Sequence, residues 1–463
     1  VMAEMMVEPL ERIHTTVAGR FSHEPDRKTM IELLPDHPHF AVRITGMPWI
    51  HTVAACTGPV IALEVPREGS PQKHLGTFDW ARVIQHEYTH TITLSQTRNR
   101  IPHWLTEAAA VSMEPGPRDY DSSVMLAEAL QNHALFDLDE IKWAFVSPRR
   151  PGDRALAYAQ AHWMVEFMNE RYGESALVRL LERYFEGERE DQAIPQALGV
   201  SREQFFSEFL EWAGKEVVAW GLAPTPTMIE LTDPLRWADP ELAAAMQRSQ
   251  QARLDIIVEV VTDQIGRPAR HRSRALTGDR WPPLMRPRID SIDQETIAGW
   301  LEEHPDHADV VELDLRYRIE EGGVDESLIP RLEHYARLRP VDEFPHRKLA
   351  EIYGASQNPL AAIPHLEELD VREEKTPIFA VKLAELFRRA GDLDRALAKT
   401  TRALHINPYH APNRELAAAI AIEAGRLDVA RQHILALTLI EPDRPQHQRR
   451  LAAIEEFIAR EKD

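Results

Sequence analysis

From about residue 309 the chain repeats itself every 34 residues. Gly323, Gln357, Gly391 and Gly425 occupy one register, and Leu328, Ala362, Ala396 and Ala430 a second. Pro340, Glu374, Pro408 and Pro442 occupy a third. The first register suits the turn that ends one helix, and the second the start of the next, where small residues let two helices cross closely. The third stops that second helix. A unit of two helices cannot bury its apolar face alone, so successive copies must stack into a one-dimensional array. Four copies span roughly 309–442, and an amphipathic segment at 446–460 is placed to cover the last apolar face.

The best copy carries Leu383, Ala384, Phe387, Gly391, Ala396, Ala403 and Pro408. It resembles the tetratricopeptide repeat, which implies antiparallel helix pairs and a concave surface that binds peptide segments or protein partners.

The remainder of the 463 residues must form at least one further unit, because a single core rarely serves so long a chain. Short apolar runs at 30–34, 40–45 and 60–65, separated by Pro35, Pro38, Gly46, Pro48, Gly58 and Pro59, predict a small sheet with tight connections. From about 77 to 222 the period turns helical. Thr77 and Asp79 can cap a helix carrying Trp80, Val83, Ile84 and Leu94, and further helices are expected near 104–113, 123–133, 155–172, 174–184 and 202–220. Pro224 and Pro226, followed by Pro234 and Pro240, mark the clearest boundary. The expected division is therefore 1–222, then a linker and irregular helical segment at 223–306, then the repeats at 307–463.

One stretch carries chemistry: His86-Glu87-Tyr88-Thr89-His90. Residues four apart share a helical face, so both imidazoles can converge on one metal ion, and Glu87 can take a proton from a water beside it. Thr93 and Gln96 stand where a metzincin needs Gly and His, which excludes that branch. Seventeen residues after His90, on a second predicted helix, comes Glu107. It can complete a His, His, Glu set that leaves a fourth position for water, as a catalytic zinc site requires. The alternative to that reading is that Glu107 is a first-turn acid favoured by the helix dipole, with Glu114 or His103 as the ligand in its place. Tyr158 is a candidate for polarising a carbonyl or an oxyanion, and is otherwise a core aromatic. His162, one turn on, reads as a structural or supporting residue, and Cys56 as a small buried apolar one.

HExxH followed by the helix of Pro102, Trp104, Leu105 and Glu107 resembles the gluzincin metallopeptidases, specifically the peptidase MA-like domain often joined to tetratricopeptide repeats. Tyr158, His162 and Trp163, with Glu170 to Gly173 after them, are similar to a later helix of that domain. Ala108 departs from the Gly usual after the glutamate, and no Gly-x-Met-Glu-Asn element precedes the motif, so the aminopeptidase version is not supported. The resemblance implies an α+β zincin-like domain ahead of an all-α tetratricopeptide solenoid. It further implies Zn2+ held by His86, His90 and Glu107, Glu87 as general base with Tyr158 assisting, and an edge strand at 60–65 that binds extended peptide.

The expected function is a zinc-dependent peptidase whose substrate is a peptide or protein. Its rivals are an inactive scaffold acting through the repeats, and a zinc hydrolase of non-peptide substrates. Seventy-four acidic against 54 basic residues give a net charge of −20, which disfavours nucleic acid as a partner. The basic run at 267–288 then reads as a solvated face. No apolar run is long enough to span a bilayer. A single cysteine excludes a disulfide framework without deciding the compartment. The chain begins at Val1 rather than Met, which leads us to expect a removed segment, and an extracytoplasmic location if that segment carried a signal.

Overall fold

The computed structural model describes residues 1–232 and 292–462. The chain opens with α1 (Met2–Phe21), whose buried Met6, Ile13, Val17 and Phe21 join the core shared with the helix that carries His86 and His90. Then come β1 (Met30–Leu34), α2 (His37–Thr45), β2 (Ala54–Cys56) and β3 (Val60–Glu64). The sheet is mixed, in the order β1-β3-β2. β1 runs parallel to β3, with Met30 opposite Val60, and β2 antiparallel, with Ala54 opposite Leu63.

Two expectations are corrected here. Residues 40–45 belong to a helix rather than a strand. Asp36 caps it by accepting from His39 N–H, and Pro38 supplies a pre-set φ in the first turn, so local capping overrides the β-like run of apolar residues. The run at 60–65 is not an edge. β3 lies between two neighbours and is buried along most of its length, and among the described residues the free edge nearest the helices belongs to β2. A strand of mostly apolar residues is better satisfied in the middle of the sheet than at its rim.

Seven further helices follow: α3 (Trp80–Thr97), α4 (His103–Met113), α5 (Tyr120–Gln131), α6 (Ile141–Val146), α7 (Asp153–Tyr172), α8 (Ala176–Glu186) and α9 (Glu190–Leu198). The first unit closes with α10 (Arg202–Ala219). Asp79 caps α3 through Arg82 N–H, and Trp80, Ile84, Tyr88 and Ile92 recur every four residues along its buried face. Trp80, Trp104 and Trp163 are fully buried in one core cluster that joins α1, the sheet and α3–α10. Trp163 stacks on Trp220 and meets Phe209 edge-on.

Beyond 292 the chain is helical throughout: α11 (Gln294–Glu303), α12 (Ala308–Gly322), α13 (Ile329–Leu338), α14 (Phe344–Ala355), α15 (Ile363–Arg372), α16 (Ile378–Arg389), α17 (Leu393–Ile406), α18 (Ala411–Glu423), α19 (Leu427–Ile440) and α20 (Pro445–Lys462). Gly323, Gly391 and Gly425 fall in the turns after α12, α16 and α18, as the 34-residue period requires. Ala362, Ala396 and Ala430 are buried where consecutive helices cross. Helix α20 covers the end of the array, with Ile454 buried in its core. The basic run at 267–288 and most of the expected linker lie outside the described residues.

Candidate metal centre

Helices α3 and α4 pack antiparallel, as their contacts run in opposite order along the two helices. Thr93 Oγ1 lies 2.9 Å from Thr106 Oγ1, His90 Nδ1 lies 2.8 Å from the same hydroxyl, and Gln85 bonds Met113 O. The short link 98–102 turns through left-handed Arg98 and Asn99. This geometry sets residue 107 opposite residues 86 and 90.

His86, His90 and Glu107 each offer one atom within 4.8 Å of the others. The two Nε2 atoms are 3.2 Å apart, and Glu107 Oε2 is 3.6 Å from both. That oxygen is buried and has no hydrogen-bond partner among the described residues. Two lone-pair nitrogens and an orphaned carboxylate oxygen aimed at one point form a donor set suited to zinc. The remaining ring nitrogens are held from behind. Glu114 Oε1 accepts from His86 Nδ1 at 2.7 Å, and Thr106 Oγ1 meets His90 Nδ1. A carboxylate can only accept, so in a neutral His86 ring Nδ1 carries the proton and Nε2 is left as the donor atom.

The surroundings favour positive charge. Burial works against a charged His86, yet Glu107 and Glu114 hold its pKa well above the usual imidazole value. Burial would raise both carboxyls, but the imidazoles hold Glu107 well below the carboxylate range, and His86 with Arg82 holds Glu114 at about 2. A pocket that stabilises a proton in this way also attracts a metal cation.

Glu87 is buried on the same helix, and the backbone N–H of Cys56 on β2 lies near enough to its carboxylate to favour the charged form. Burial raises its pKa against the opposing pull of His86 and His90, which brings it towards the range useful for accepting and returning a proton. Tyr158, on α7, packs edge-on against Phe145 and lies beside Glu107 and Glu87. Burial and those two carboxylates push its phenol far up, so it remains a donor at any ordinary pH.

Of the three residues weighed as the third ligand, Glu107 is the one that faces both Nε2 atoms. Glu114 stands behind His86, and half-exposed His103 lies 3.3 Å from Glu107 Oε1. His162 pairs with Glu166 at 3.6 Å and is not among the three residues whose donor atoms converge. Sequence reasoning missed Glu114, Thr106 and the Cys56 N–H as supports. Glu114 had one signal: it lies seven residues after Glu107, two helical turns further along the same face.

Residues 74–212 match the family model of the Peptidase MA superfamily, and residues 387–454 match that of the tetratricopeptide repeat. The arrangement is that of a peptidase MA-like unit with C-terminal tetratricopeptide repeats. No curated protein matches the chain.

Proposed function

We propose that the chain is a zinc-dependent peptidase built on a zincin-like fold, with boundaries near 222 and 307. In this reading His86, His90 and Glu107 hold the metal. The observation that carries it is the buried Glu107 oxygen without a hydrogen-bond partner among the described residues, set equally far from two imidazole nitrogens whose other faces are tied down. Zinc, when bound, supplies Lewis acidity that activates water and draws charge from a carbonyl oxygen. Glu87, beside the Cys56 N–H, accepts the proton of the attacking water and returns it to the leaving amine. Tyr158 donates a hydrogen bond to the oxygen on which negative charge develops. Extended peptide would pair with the free edge of β2, whose Cys56 adjoins Glu87, rather than with β3. The repeats supply a second surface for a substrate or a protein partner.

Glu87→Gln tests the reading. We expect peptide hydrolysis to fall by about 10²–10⁴-fold while zinc content stays at the wild-type level. Undiminished hydrolysis would remove Glu87 from the chemistry.

A further inference from the structure

The turns that end the second helix of each repeat do more than close a unit. Three of them, one repeat apart, touch the N-terminal unit. After α13, the Arg339 guanidinium donates to Gly221 O at 3.0 and 3.2 Å. After α15, Asp79 N–H donates to Glu374 O and Thr77 Oγ1 to Lys375 O, each at 2.7 Å. At the end of α17, Leu404 O accepts from Trp80 Nε1 at 3.2 Å, and beyond it Asn407 Nδ2 donates to Glu68 Oε1 at 2.9 Å. The 34-residue period thus spaces equivalent turns along the unit that carries the candidate metal centre.

Two of these turns converge on the first turn of α3. Asp79, its cap, also takes Arg402 Nη1 at 2.7 Å. Arg82 divides its guanidinium between units: Nε meets Glu114 Oε2 at 2.6 Å, and Nη1 meets Glu374 Oε1 at 3.0 Å. Glu114 in turn holds His86 at 2.7 Å. The close approach depends on Gly116, where a Cβ would stand 2.7 Å from Val371 O and 3.3 Å from Arg82 Nη1.

We propose that Glu374, carried by the repeat array, is a positioning residue for the metal centre, acting through Arg82 and Glu114 on His86. The inference rests on the reading of His86, His90 and Glu107 as metal ligands. Its physics is the sharing of one cation between two carboxylates. Were Glu114 the sole partner of Arg82, the fork geometry of the guanidinium would draw both carboxylate oxygens towards it and away from His86 Nδ1. With Glu374 on the other arm, Glu114 Oε1 stays with His86. Glu374 also offsets the positive charge of Arg82 near a site that must hold a cation. Both effects have the same sign: removing the Glu374 charge weakens metal binding. The Glu374 side chain is 47% exposed, so the ion pair itself contributes little to folding.

The test uses the full chain. Zn2+ affinity is measured by chelator competition, and the visible absorption of the Co2+-loaded protein reports ligand geometry. We expect Glu374→Gln to weaken Zn2+ binding by about 3- to 10-fold, less than the 10–100-fold typical of a direct outer-shell partner. The Co2+ bands should shift while the melting temperature stays near wild type. Arg388→Ala, which breaks the pair with Glu423 on the array away from this contact, should leave both metal readouts unchanged. Wild-type affinity and an unshifted Co2+ spectrum in Glu374→Gln would overturn the proposal alone, and so would an equal effect from Arg388→Ala. A wild-type chain that takes up neither ion would overturn the metal-centre reading and this inference with it.

Discussion

Glu114 Oε1 lies 2.7 Å from His86 Nδ1, so an acid from the end of α4 orients an imidazole near the middle of α3. Glu114→Ala leaves that nitrogen without its acceptor and frees the ring to rotate. Zinc affinity is expected to fall about 10–100-fold, measured by competition with a chelator. Full affinity in this variant would show that packing alone holds the ring.

Tyr158→Phe removes one hydroxyl from a buried wall without changing its shape. If that hydroxyl serves the developing oxyanion, kcat falls by roughly 10²–10³-fold with little change in KM. Steady-state kinetics on a peptide substrate decide it. A change confined to KM would make Tyr158 a wall of the cleft.

Metal binding should stabilise the native chain by mass action. At a free Zn2+ concentration one hundred times the dissociation constant, the gain is about 2.7 kcal/mol, read as a rise in the thermal midpoint. His90→Ala is expected to abolish most of that rise. An equal rise in the variant would assign it to another site.

His405 packs edge-on against Trp80 at 4.9 Å, across the contact between the repeats and α3. Burial, with Arg402 and Arg12 adding to it against Asp79, lowers its pKa to about 4 from the ordinary 6.5. The unfolded chain therefore binds a proton near pH 6.5 that the folded chain refuses until about 4. The stability due to neutral His405 is fully present above the upper value and is lost as pH falls towards the lower one. It amounts to at most about 3 kcal/mol. His433, lowered in the same way within the repeats, adds a similar limb. Thermal melts between pH 4 and 7.5 should show a shallower acid slope in His405→Phe than in wild type. Identical slopes would exclude His405 as a source.

Gly221 sits at φ +70, and a Cβ there would stand 2.0 Å from Leu338 O. Gly221→Ala adds left-handed strain of about 1–2 kcal/mol to a clash between two backbones that no rotamer relieves. The first repeat must then lift from the N-terminal unit. Thermal unfolding of the variant should begin at a lower temperature than that of the wild type or split into two transitions, and an unchanged melt would mean that the repeats do not dock there in solution.

Much of the candidate centre was legible along the chain because its spacing is local. The interval from His86 to His90 is one helical turn, and no tertiary contact is needed to place them on one face. The repeat was legible for the same reason: each copy meets only its neighbours, so its packing is written as a period. The readings that failed concern competition between local and distant forces. Residues 40–45 look like a strand until Asp36 and Pro38 are weighed as a helix start. The run at 60–65 does not reveal which side its neighbours take, because strand order is decided by pairings between segments that the sequence leaves uncoupled.

By itself, then, the sequence determined the two histidines with Glu87 between them, the acid that follows on the next helix, and the 34-residue beat of the C-terminal array. Only the tertiary structure decided that Glu107 rather than Glu114 faces both imidazoles, that β2 rather than β3 borders Glu87, and that Glu374 reaches Arg82. Those outcomes depend on the angle at which two helices cross and on where a distant turn comes to rest. Such quantities arise from the summed packing of many side chains and carry no signature at any single position.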